Sequence, residues 1–100
     1  MDLEKELEKK RGNVRAEAIV KYGQRHQIIV AIEELSELQQ ALTKCLRSDT
    51  AQDEWNVAEE IGDVEIALEQ LKMMFRNETK VEESKRWKIE RLEARLDDEW

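Results

Sequence analysis

Apolar residues recur along this chain every three or four positions, and the period holds through most of its length. The most regular stripe lies between Gln24 and Arg47, where Ile28, Ile32, Leu35, Leu38, Leu42, Cys45 and Leu46 mark one face of an amphipathic helix. Upstream, Leu3, Leu7, Val14, Ala18 and Ile19 predict a helix from Asp2 to Tyr22, with Gly12 and Asn13 offering a break and Gly23 an end. The polar segment "SDTAQD" at 48–53 supplies three candidate N-caps, Ser48, Asp49 and Thr50, for a third helix running to Phe75. That helix carries Val57, Ile61, Val64, Leu68, Leu71 and Phe75 on one face. "RNETK" interrupts the pattern, and a fourth helix is predicted over 79–97 with Val81, Leu92 and Leu96 turned inward. Connections this short make neighbouring helices antiparallel.

With 100 residues, no proline and only three glycines, the chain reads as one all-α domain, an antiparallel bundle of four main helices. Residues 24–75 form its central part and 79–97 its last helix. Charged residues make up 41%, and so few apolar side chains bury limited area in a lone chain. A homo-oligomer is therefore expected, most simply a dimer. The net charge of −7 disfavours duplex nucleic acid and anionic membranes as partners. A nucleotide remains compatible with it, because a divalent cation inverts the electrostatics of an acidic pocket. Cys45, the single cysteine, has no internal disulfide partner and reads as a core residue. The chain has no apolar run near ~18 residues and no signal-peptide pattern, so a cytoplasmic location is the expectation.

Acidic residues are too common here for a spacing to mean much alone, but position around the helix is informative. At ~100° per residue, Glu34 lies about 80° from the centre of the second helix's stripe and Glu60 about 50° from that of the third. Glu37 and Asp63 follow one turn after them. Counted from the intervening turn, the two pairs reach the same height within roughly one helical turn at ~1.5 Å per residue. Four carboxylates are thus expected to converge. Their mutual repulsion is relieved by a hard divalent cation, and oxygen-only ligation points to Mg²⁺, with Mn²⁺ as the variant. Glu33 and Glu59 point further away and read as solvated.

Gly62 interrupts a good helix beside these acids, at a cost of about 1 kcal/mol relative to alanine. Either close packing of a neighbouring helix or the approach of a phosphate accounts for it. Lys85 and Lys88 occupy inward positions of the fourth helix, and Arg91 follows one turn later. They either pair with acids and snorkel to the surface, or bind the phosphates of a metal-bound nucleotide. At the entry to the second helix, Gln24, His26 and Gln27 offer hydrogen bonds to a base, and Tyr22 and Trp55 offer stacking surfaces. Trp55, Trp87 and Trp100 also read as packing residues or interface anchors.

The segments "AIEELSELQQALTK" (31–44) and "VAEEIGDVEIALEQL" (57–71) resemble the MazG-like branch of the all-α nucleoside triphosphate pyrophosphatases. The signature E-E-x-x-E, spacer, E-x-x-D is matched by Glu33, Glu34 and Glu37 and then by Glu60 and Asp63. The similarity covers about residues 14–75. It implies a Mg²⁺-dependent enzyme that cleaves between the α- and β-phosphates of a nucleoside triphosphate, giving monophosphate and pyrophosphate in nucleotide-pool house-cleaning. It also implies that Glu34, Glu37, Glu60 and Asp63 hold the metal, and that the protein is a dimer or dimer of dimers. The family's basic pattern in the last helix is matched only in part, by Lys85, Lys88 and Arg91. Either Glu37 or Glu34 is the expected general base for the attacking water. The competing reading is a non-enzymatic helical adaptor, whose charges form a solvated lattice and whose stripes bind another helix.

Overall fold

Local chemistry sets the helix boundaries. The Asp2 side chain accepts a hydrogen bond from the Glu4 N–H at 3.0 Å and starts α1, Leu3–Tyr22. Gly23, at φ 90°, ends α1, and its N–H donates to the Ile19 carbonyl at 2.9 Å. α2, Gln24–Ser48, follows immediately, and Asp49 closes it in the left-handed region at φ 41°. α3, Ala51–Phe75, begins inside "SDTAQD", with Thr50 as N-cap and Asp53 completing a capping box. Arg76 ends α3 at φ 51°, and α4 runs over Glu78–Asp98. The computed structural model describes residues 2–98, all helical apart from these short connections. Among the described residues, no helix is long and apolar enough to cross a membrane.

Three expectations change. α1 passes through Gly12 and Asn13 without a break, since a single glycine costs only about 1 kcal/mol against a helix of this length. In α4 no residue is buried: Val81 is half-buried where the helix starts against α3, whereas Leu92 and Leu96 are 44% and 49% exposed. The predicted inward stripe of α4 is thus solvent-facing in the single chain, because α4 touches little beyond the end of α3. Trp55 and Trp87 are likewise exposed, and Trp100 lies outside the described residues.

The third change concerns α2. Its covered face runs through Gln27, Ala31, Glu34, Leu38, Ala41 and Cys45, a 4-3-4-3-4 seam in which Ala31, Ala41 and Cys45 are small. Ile32, Leu35, Leu42 and Leu46, the strongest part of the stripe, lie exposed on another face. Small side chains allow close approach of α3, whose matching seam holds Val57, Glu60, Val64 and Ala67. Pairing across the hairpin is antiparallel: Gln27 donates to Gln70 at 3.2 Å, and Glu34 and Glu37 meet Asp63 and Glu60. α1 packs across both helices, and Gln70 reaches its Arg15 carbonyl at 3.5 Å. Among the described residues, the buried apolar side chains are Ala31, Val64 and Ala67.

Candidate metal centre

Glu34 and Glu60 occupy positions that a helix hairpin ordinarily fills with aliphatic side chains. Glu34 sits between Ala31 and Leu38 in the α2 seam, and Glu60 between Val57 and Val64 in the α3 seam. Glu37 and Asp63, one turn further along, stand exposed at the rim. Each of the four contributes a carboxylate oxygen, and these oxygens all lie within 4.8 Å of one another. The expected convergence is present, and it is tighter to the core than the angular estimate implied.

The electrostatics of this group are unbalanced. Oε2 of Glu34 and Oε2 of Glu60 are buried without a hydrogen-bond partner. Burial, reinforced by the charges of Asp63, Glu37 and Glu60, pushes the Glu34 carboxyl above the usual carboxylate range. Burial and the charges of Glu37 and Asp63 do the same to Glu60. Asp53, two turns before Glu60, shows the contrast: hydrogen bonds from the Ser48 hydroxyl, the Thr50 N–H and the Thr50 hydroxyl hold it below the usual range. Asp53 is a satisfied structural acid, whereas the four-acid group lacks compensating donors. The group could hold a divalent cation, which would supply the missing charge and use the orphaned oxygens.

The remaining sequence candidates lie elsewhere. Gln27 is 7% exposed and spends its amide on Gln70, so its visible task is to join α2 to α3. His26 is exposed, its ring 5.6 Å from that of Tyr22. Lys85 pairs with Glu82 on its own helix at 3.3 Å, and the Arg91 guanidinium lies over the Trp87 ring at 4.7 Å. Among the described residues no ion pair links Lys85, Lys88 or Arg91 to the four acids. Glu33 and Glu59 are exposed, as expected. A Cβ added to Gly62 meets no atom within 4 Å, so no helix of the chain itself requires glycine there. Cys45 is half-buried rather than a core residue, and its thiol, hydrogen-bonded to Asp49 at 3.3 Å, is pushed up in pKa.

Sequence reading missed Gln70, which bridges α2 and α1. The signal was available: Gln27 and Gln70 fall on the same seams as Glu34 and Glu60, two and three further steps from the turn. No protein-family model matches the chain, and comparison with curated proteins and with solved structures gives no match either.

Proposed function

We propose that this protein is a Mg²⁺-dependent nucleoside triphosphate pyrophosphohydrolase that converts a (deoxy)nucleoside triphosphate to its monophosphate and pyrophosphate. The observation that carries the proposal is the four-carboxylate group with two buried, unpartnered oxygens in a helix seam. The resemblance of the same residues to the MazG-like signature supplies the reaction class. Glu34, Glu37, Glu60 and Asp63 would hold the metal. When bound, Mg²⁺ supplies charge neutralisation on the phosphate oxygens and activation of water for in-line attack. Glu37, at the exposed rim, is the carboxylate best placed to take a proton from an incoming water, and Glu34 is the alternative. Glu34 and Glu60 are half-buried in the seam, a placement that would orient the group before substrate arrives.

Lys85, Lys88 and Arg91 enter this reading as phosphate-binding groups, and His26 and Gln27 as base-recognition groups, with cytoplasmic nucleotides as substrates and an oligomer as the working form. The decisive experiment incubates the protein and Mg²⁺ with canonical and modified nucleoside triphosphates and identifies the products. Monophosphate plus pyrophosphate is expected, and addition of EDTA abolishes their formation. Orthophosphate release would indicate a phosphatase instead, and no turnover of any triphosphate would favour the helical adaptor.

A further inference from the structure

Gly62 lines a trough that the four-acid group does not use. It runs between α1, α3 and the start of α4, with a cavity volume of about 970 Å³, the size of a small-molecule site. Its floor follows α3 from Gly62 to Phe75, about 20 Å of helix. Ile66 and Phe75, 52% and 60% exposed, join Leu71 and Val81 in an apolar wall. Gly62 and Glu69 lie about 160° and 180° round α3 from Glu60, so the trough and the four acids occupy opposite sides of the helix. A smaller hollow adjoins the trough at Arg11, Arg15 and Ile66, and its other lining residues, Leu7, Lys10 and Val14, include no acid.

The trough is locally basic in a chain of net charge −7. Arg11, Arg15, Lys72 and Lys85 line it against Glu8, Glu65 and Glu69, four cations to three acids. Arg15 pairs with Glu8 through Nη2 at 2.8 Å, Lys72 with Glu69 and Lys85 with Glu82, whereas Arg11 has no ion pair among the described residues. Nε of half-buried Arg15 has no hydrogen-bond partner, and neither has Oδ1 of half-buried Asn77. Gln70 bonds to the Arg15 carbonyl and so sets Arg15 at its own level. Asn77 follows seven residues later, about 10 Å along the trough. One end thus offers donors and positive charge, the other an acceptor, and apolar side chains join them.

We propose that this trough binds a small organic monoanion, a carboxylate on an aliphatic chain of about eight carbons, which matches the ~10 Å between its polar ends, with a hydroxyl or amide N–H at the far end. The carboxylate pairs with Arg11 and the free donors of Arg15. The chain lies on Ile66, Leu71 and Phe75, and the far donor bonds to Oδ1 of Asn77. Glu8, Glu65 and Glu69 repel any further negative charge, so a triphosphate does not suit the site. A side chain at position 62 would project into the trough, which gives the glycine a role that packing within the chain does not. The site stands independently of the hydrolase reading.

Isothermal titration calorimetry of the full chain with ω-hydroxyoctanoate is expected to show one saturable site per chain. Octanediol, which keeps a hydroxyl and lacks the charge, should bind at least ~10-fold more weakly, and octanoate, which lacks the donor for Asn77, about fivefold more weakly. Gly62→Leu should abolish binding with helical circular dichroism retained, and exposed Arg11→Gln should weaken it about tenfold. Amide resonances of Arg15, Ile66 and Asn77 should shift on titration. Absence of saturable binding, as when another chain covers the trough, would overturn the proposal. So would octanediol binding as tightly as the carboxylate, indifference to Arg11→Gln, or shifts confined to other parts of the chain.

Discussion

Glu34 and Glu60 make the chemistry of this molecule a matter of two half-buried side chains. Each lacks a partner for one buried oxygen, and each carries a pKa raised by burial and neighbouring carboxylates. Glu60→Gln is expected to lower Mg²⁺-dependent pyrophosphate release by at least ~100-fold while the helical spectrum is kept, because it removes a ligand and leaves the seam filled. Unchanged turnover in that variant would take Glu60 out of the site. Gly62 gives a second residue-scale prediction. With nothing within 4 Å of an added Cβ, Gly62→Ala should stabilise the protein by about 1 kcal/mol in urea unfolding. A loss of stability there would reveal an approach to Gly62 from outside the chain. Thr50, the α3 cap, works the other way: Thr50→Ala should destabilise by about 1 kcal/mol in the same assay.

At the scale of the element, the α2–α3 hairpin combines a structural acid with a charged seam, and the two respond to pH with opposite sign. Glu34 and Glu60 hold protons more tightly folded than unfolded. Without metal, their contribution therefore favours the fold below the ordinary glutamate pKa and is lost as pH rises through the raised folded value. Asp53 has a lowered folded pKa. Its contribution is present above the ordinary aspartate pKa and is lost as pH falls through the depressed one. Bound Mg²⁺ would reverse the first trend, because it needs the deprotonated carboxylates. Thermal melts across the acidic to neutral range should show Mg²⁺ stabilisation that grows as pH rises through the glutamate window, reaching about 2.7 kcal/mol at a hundredfold excess over Kd. Melting curves that ignore Mg²⁺ at neutral pH would remove the metal from this hairpin.

On the scale of the whole molecule, apolar surface outruns what one chain covers. α4 buries none of its residues, and α2 exposes its best stripe. Folding and association should then be linked, so the unfolding midpoint is expected to rise with protein concentration. A midpoint constant over a hundredfold dilution, measured by circular dichroism, would mark a self-sufficient monomer. The charge of −7 acts at this scale as well, since it disfavours phosphate except where a bound cation or a local basic patch offsets it.

The four helices and their ends were legible in the sequence, because caps, turn chemistry and periodicity act over only a few residues: Thr50 with Asp53, and Gly23 with its positive φ, write themselves locally. The coming together of Glu34, Glu37, Glu60 and Asp63 was legible for the same reason, since helical rise and a short connection determine height. Which face of α2 meets α3 was not. A helix carries several seams at once, and the 27-31-34-38-41-45 line and the 28-32-35-39-42-46 line differ by a single residue along the chain. Hydrophobicity favours the second, while close approach of two backbones favours the small residues of the first. That choice depends on contacts between residues far apart in sequence, and tertiary structure made it, placing two carboxylates inside the hairpin and leaving the leucines on its outside.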